Sequence, residues 1–220
     1  MKFSIFFLFT FFIFNTSYAK DFKLRVVDES KAPIANVIIK VPSELIDEES
    51  LAKSKPDIAI MDQINSQFSP HVLLINSGQF VSFPNRDDIR HHVYSFSKAK
   101  PFKIKLYKNT PSEPIEFEQA GVVELGCNIH DQMLGYIYVS DNTYAVKTDP
   151  LGEALVSTKN NNALSTIQLW HPQLSTSRTE HIEMQLPEPN EKGEYVLTLG
   201  LAAKSKVKEN NTFKKKFGKR

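Results

Sequence analysis

From Phe102 to Tyr107 the chain reads FKIKLY, apolar and basic in alternation, the period-two pattern of a strand with one wet face. Comparable stretches recur along most of its length. KLRVVDESKAPIANVIIKV, from Lys23 to Val41, predicts two strands joined by a turn: Val, Ile and Leu gather at each end, and Asp28, Glu29, Ser30 and Pro33 lie between. Residues 42–58 are polar and bounded by prolines, which predicts a loop or a short helix. VLLINSGQFVSFPNRDDIRHHVYSFS then reads as strand, Asn-Ser-Gly turn, strand, polar turn and strand. IEFE, GVVELG and LGYIYV carry the pattern on to Val139. Short strands at this spacing, with no convincing helical stripe, predict an all-β chain built as an antiparallel sandwich or barrel. After Ser140, TYAVKTDPLGEALVST, TIQLWHPQL, HIEMQL and EYVLTLGL predict a further small β-module over residues 141–200. No internal repeat and no phosphate-cradling glycine loop is visible.

The two ends depart from this texture. MKFSIFFLFTFFIFNTSYAKDF has a basic start, an apolar run from Phe3 to Phe14 and a small residue before Lys20. That is the layout of a secretory signal peptide over residues 1–19, cleaved after Ala19, and it predicts an exported, periplasmic protein. The run is shorter than the roughly 20 residues a membrane-spanning helix needs. At the other end, residues 201–220 form a basic tail with eight Lys or Arg and one Glu. The plain reading is a solvated, disordered tail, and the sharper one a weak electrostatic contact with anionic membrane or an acidic partner. The tail and the leader together carry +8, so a chain of net charge +2 has a body near −6. An exported protein with an acidic body is not expected to bind nucleic acid.

The 220 residues include 16 Phe and 7 Tyr, enough for a real core in one or two domains, but only one cysteine. Exported proteins usually pair their cysteines, so Cys127 calls for a separate explanation. A small buried residue that packs like Ala is one, and an intermolecular disulfide is another. The surrounding GCNIHDQMLGYIYV offers a third, because Cys127, His130 and Met133 follow one another at three-residue spacing. A thiolate, an imidazole and a thioether are soft donors that suit copper, whereas a zinc site would want further strong ligands such as a second cysteine. A trigonal two-histidine, one-cysteine copper site with a long axial methionine needs one more histidine. His91 and His92, 36 and 35 residues before Cys127 at the start of a predicted strand, both offer it. Alternation places the two on opposite faces and does not choose between them.

At these motifs the chain resembles the cupredoxins, the small blue copper proteins. The Cys-x2-His-x2-Met loop, followed by a residue, a Gly and an alternating strand, is most similar to that of amicyanin. FPNRDDIRHHV resembles the family's strand end, Asn, polar residues, ligand His, one residue and Val. The wider layout, with MDQ, FPN, HHVYSFS and GCNIHDQM, resembles exported plastocyanin-like methylamine utilization proteins. The resemblance covers residues 60–140 and implies a Greek-key β-sandwich for a copper domain over 20–140. It implies one type 1 copper ion held by His91, Cys127, His130 and Met133, with His91 selected over His92 by the family's His-x-Val. The one departure is His92, which stands where best-known members have an Asn that ties the ligand loops together.

The resemblance further implies a non-enzymatic carrier of single electrons between a redox donor and acceptor that the sequence does not identify. Its electron port would be the edge of His130, with Ile129, Leu134 and Phe83 as candidates for an apolar surround. The alternative is a copper-binding module for storage, delivery or sensing, which the His91–His92 pair and the appended β-module favour. His71, His171 and His181 are expected to be structural or surface residues, and Trp170 a core residue.

Overall fold

The computed structural model describes residues 19–46, 58–109, 113–141, 143–159 and 162–202. The expected leader up to residue 18, and the tail from residue 203, lie outside the described residues. In chain order the strands are β1 (Lys20–Val27), β2 (Ile38–Val41), β3 (Ile58–Ile60), β4 (Asp62–Ile64), β5 (Gln67–Ser69), β6 (Val72–Asn76), β7 (Gln79–Ser82) and β8 (His91–Ser95). They continue as β9 (Phe102–Tyr107), β10 (Ile115–Phe117), β11 (Gly121–Cys127), β12 (His130–Ser140), β13 (Tyr144–Lys147), β14 (Glu153–Thr158), β15 (Thr166–Trp170), β16 (Ile182–Gln185) and β17 (Glu194–Thr198). A 3-10 turn occupies Ser43–Leu45. None of the described helices is long and apolar enough to cross a membrane. The chain is all-β, as its alternating pattern predicts.

Strands β6, β12, β11, β8 and β9 form a five-stranded sheet in that order, and β10, β7 and β3 form a three-stranded one. Between them lies a core that includes Met61, Phe68, Val81, Phe83, Val93, Phe117, Val123, Leu125 and Ile137, and to which Cys127 and Met133 also belong. The hydrophobic residues of β8, β11 and β12 that alternate inward are what this sandwich buries. Phe83 is fully buried in it, so it lines the core and not an exposed patch.

The strand pairing distributes the remaining chain differently from a division at residue 140. β1 pairs with β14 and β17, and β2 pairs with β13 and β15. The two strands read from Lys23 to Val41 therefore exist, but they lie in two different sheets and join the C-terminal segment. Their shared core holds Phe22, Leu24, Val26, Ile39, Val156, Ile167, Leu169 and Leu197. Sequence-adjacent strands often pair, and here the long-range match of apolar faces overrides that tendency.

The two sandwiches meet on the back of β12. Ile137 and Val139 face the first core, while Tyr136 and Tyr138 pack with Ile38, Val72, Ala145 and Trp170 in a third cluster. Burial on both faces explains why β12 is buried without interruption from Gly135 to Ser140. Trp170 is a fully buried core residue, stacked edge-on against Tyr136 and tilted against Tyr138.

Candidate metal centre

The centre forms where three neighbouring strands of the five-stranded sheet end together. Cys127 is the last residue of β11, and His130 is the first of β12, across the turn Asn128–Ile129. The antiparallel register then jumps, from Cys127 opposite His130 to Gly126 opposite Leu134, leaving residues 131–133 as extra chain on β12. Such a bulge re-aims side chains, and here Met133 turns inward and is buried beside Cys127 in the first core. His91 opens β8, whose Tyr94 pairs with Gly126 next to the cysteine. Gly126 permits this close pairing, since a Cβ there would lie 2.7 Å from Cζ and Oη of Tyr94.

One donor atom from each of His91, Cys127 and His130 lies within 4.8 Å of the others. Both imidazoles turn Nδ1 to the sulfur, at 3.7 Å from His91 and 3.9 Å from His130, and the rings sit 4.9 Å apart. A metal–sulfur bond of ~2.3 Å and metal–nitrogen bonds of ~2.0–2.1 Å at a trigonal angle of ~120° require S···N separations of about 3.8 Å. The spacing thus fits a three-donor nest of one cysteine sulfur and two imidazoles, and the soft thioether of Met133 adjoins it, a donor set suited to copper.

The geometry separates the two adjacent histidines. His91 is fully buried and belongs to the cluster, whereas His92 points to the other face of β8 and contributes nothing to it. The Nδ1 of His92 is buried without a hydrogen-bond partner among the described residues, so this ring does not tie the two ligand loops together. His91 is held instead by a residue the sequence reading missed. Its Nε2 lies 2.8 Å from Oδ2 of Asp87, the kind of carboxylate contact that fixes the tautomer and aim of a metal-binding imidazole. Asp87 in turn accepts backbone N–H bonds from Asn65 at 2.6 Å and Ser66 at 2.8 Å. Burial opposes its ionisation, but the Ser66 N–H, the His91 ring and the Asn65 N–H outweigh it and lower its pKa.

The rest of the 84–90 loop is fastened by the motifs MDQ and FPN. Asn85 donates from Nδ2 to the carbonyls of Ile89 and Tyr107, at 2.9 and 3.0 Å, and accepts the Asp87 N–H at 3.0 Å. Gln63, fully buried, donates to the Pro84 carbonyl at 3.1 Å and to the Tyr107 hydroxyl. Tyr107 donates to the Phe83 carbonyl at 2.5 Å, and burial is the main cause that pushes its pKa up to about 12. Of the candidate apolar surround, Ile129 is exposed and Leu134 is half-buried toward the third cluster. An open cleft of ≈ 720 Å³ on the outer side of β8 and β11 reaches Cys127 and Met133, with Tyr94, Phe96 and Asp131 also lining it.

The other histidines sit where the two sandwiches meet or on their margins. His181 Nε2 lies 2.6 Å from the Tyr138 hydroxyl, His71 stacks edge-on to Tyr136, and His171 is buried with its Nδ1 accepting the Gln173 N–H at 3.2 Å.

No protein-family model and no curated protein matches the chain. Among solved structures it is similar to a reduced mutant of amicyanin, at 21% identity and a TM-score of 0.36, over 46% of this chain and 98% of that one. It is also similar to a purple cupredoxin from Nitrosopumilus maritimus, at 25% identity and a TM-score of 0.33, over 38% of this chain and 98% of that one. A copper-containing nitrite reductase from Thermus scotoductus is matched at 24% identity and a TM-score of 0.37, over 42% of this chain and 26% of that one. The fold is all-β, with the first core enclosed between a five-stranded and a three-stranded sheet. The copper-type donor set stands at one end of its two-sheet sandwich, on the strands where the sequence motifs place it.

Proposed function

We propose that this chain is an exported, periplasmic type 1 copper protein that carries single electrons between redox partners. One copper ion would be held by His91, Cys127, His130 and Met133. The observation that carries the reading is the convergence of one thiol and two imidazole nitrogens within 4.8 Å, with His91 brought in from 36 residues before Cys127. When bound, copper supplies one-electron exchange between Cu(II) and Cu(I). The protein supplies the rest. Asp87 holds the His91 ring in place, the bulge aims Met133, and core packing around Cys127 keeps water from the sulfur. Ligands fixed in this way need little rearrangement when the charge on the metal changes. His130, half-buried beside exposed Ile129, offers the edge by which a partner would reach the centre.

The alternative is a copper module for storage, delivery or sensing. The cleft that borders Cys127 and Met133 favours it, since it lets a copper acceptor approach these two residues, although both are buried. The deciding experiment is the visible and EPR spectrum of the mature chain after addition of Cu(II), beside Cys127→Ser. An intense thiolate-to-copper band with narrow hyperfine splitting, lost in the variant, is expected. A weak tetragonal spectrum that survives the substitution would refute the ligand set. Fast electron self-exchange with slow loss of Cu(I) to a chelator separates the carrier from the delivery module.

A further inference from the structure

The outer face of β8 and β9 carries a concentration of positive charge that the site itself does not use. No Asp or Glu occurs from residue 89 to residue 112, while Arg90, Lys98, Lys100, Lys103, Lys105 and Lys108 all fall there. In a body of net charge near −6 such a segment stands out. Within the sheet, Lys103 lies opposite Tyr94, so Lys103, Lys105, Tyr94 and His92 share the face turned away from the core. Of these six basic residues, only Lys108 makes an ion pair among the described residues, with Asp88 at 3.5 Å.

The same face has an apolar centre. Phe96 is 87% exposed and stacks on Tyr94 at 5.1 Å between ring centroids, and Leu106 is also exposed. Tyr94 lies against the backbone of Gly126, one residue from Cys127. The cleft lined by Tyr94 and Phe96 reaches Cys127 itself. Of the two carboxylates lining that cleft, Glu124 is paired with Arg178 and Asp131 is exposed. Exposed aromatic side chains surrounded by one sign of charge are what a transient protein contact uses: the charges steer, and the aromatics form the desolvated centre.

We propose that the outer face of β8 and β9, centred on Tyr94 and Phe96 and ringed by Lys103 and Lys105, is the docking surface for an acidic redox protein. This rests on the electron-carrier reading, and it places a partner beside Cys127 on a different side from the His130 edge. An unpaired basic strand also serves to keep a sheet edge from pairing with another chain. The solvated lysines alone would satisfy that need, whereas an almost fully exposed phenylalanine beside them would not.

The test is an NMR titration of the 15N-labelled mature chain, with copper and without it. The probes are native cytochrome c, which is basic, and the same protein made acidic by succinylation of its lysines. Shift changes at residues 94–96 and 103–107 with the acidic form alone are expected. They should weaken about tenfold in apparent affinity in Lys103→Glu/Lys105→Glu and at high salt. Phe96→Ala should weaken binding without changing the salt dependence. Shift changes centred on Ile129 and His130 and indifferent to the lysine variants would overturn the proposal. So would perturbation of the β8–β9 face by anionic phosphatidylglycerol vesicles but not by the acidic protein. Because binding is read without electron transfer, a surface that binds in a chain that takes up no blue copper would refute the carrier reading and leave the surface standing.

Discussion

Asp87 Oδ2 stands 2.8 Å from Nε2 of His91, so the imidazole that turns Nδ1 to Cys127 is anchored on its opposite side. The anchor is itself fixed, because two backbone N–H groups from Asn65 and Ser66 hold the carboxylate. Asp87→Ala removes the anchor and leaves those two donors to find water. Copper affinity should fall by about 10–100-fold. Asp87→Asn, which keeps an oxygen for one donor, should fall less. Competitive copper titration measures both, and an unchanged affinity in Asp87→Ala would show that packing alone orients His91.

Two glycines near the centre should differ sharply in tolerance. A Cβ at Gly135 would lie 2.7 Å from Cβ of Phe68, an atom next to the backbone of a buried residue. A Cβ at Gly126 would meet the ring end of Tyr94, which faces the outer cleft and can swing away. Gly135→Ala should therefore cost about 1–3 kcal/mol as an overpacked core substitution. Gly126→Ala should cost less, and Tyr94→Ala should relieve it. Urea denaturation of the three variants provides the comparison.

Acid should loosen the junction between the two sandwiches before it reaches the ordinary carboxylate range. Burial, and then the charge of His71, push the pKa of His171 down from 6.5 to about 4, against a backbone hydrogen bond that raises it. The folded chain thus prefers the neutral ring. That contribution is complete above about 6.5, the unfolded value, and is lost as the pH falls toward 4, where the folded chain also begins to bind the proton. His181 is lowered in the same direction, first by burial and then by Lys40. Over this window His171 contributes at most about 3 kcal/mol. The urea midpoint should drop from pH 7.5 to pH 5, and His171→Gln should flatten that drop. An equal drop in the variant would place the acid sensitivity elsewhere.

The contacts between the sandwiches should be unequal. Trp170 is fully buried, and its indole N–H donates to the Arg178 carbonyl at 2.9 Å. Trp170→Ala should cost about 3–5 kcal/mol. The Arg178–Glu124 ion pair has side chains 38% and 41% exposed, so solvent screens it. Arg178→Ala should cost no more than about 1 kcal/mol. Thermal melts read both, and a large loss from Arg178→Ala would mean that its pair does more than decorate the surface.

Much of the fold was legible because strand formation is written in local alternation. FKIKLY became β9 residue for residue, and the strands expected after Ser140 all formed. The short strands β3, β4 and β5 carry too few residues to show a period, and they were not foreseen. The donor set was legible for a different reason. Cys127, His130 and Met133 are covalently close, so any turn between β11 and β12 brings them near one another, and soft donors together imply a soft metal.

What the sequence determined by itself is therefore the local part: all-β structure, the position of most strands, and a thiolate, imidazole and thioether on one connection. Only the tertiary structure decided that His91 and not His92 faces the sulfur, since period two separates the pair without saying which face is inward. It alone brought Asp87 to His91, put Phe83 in the core, and gave β1 and β2 to the C-terminal strands. It alone buried β12 on both sides, with aliphatic residues toward one core and tyrosines toward the other sandwich. The division has one physical cause. Backbone geometry fixes which neighbours along the chain share a face, but which face meets which is settled by burying apolar surface across the whole molecule, among residues more than a hundred positions apart.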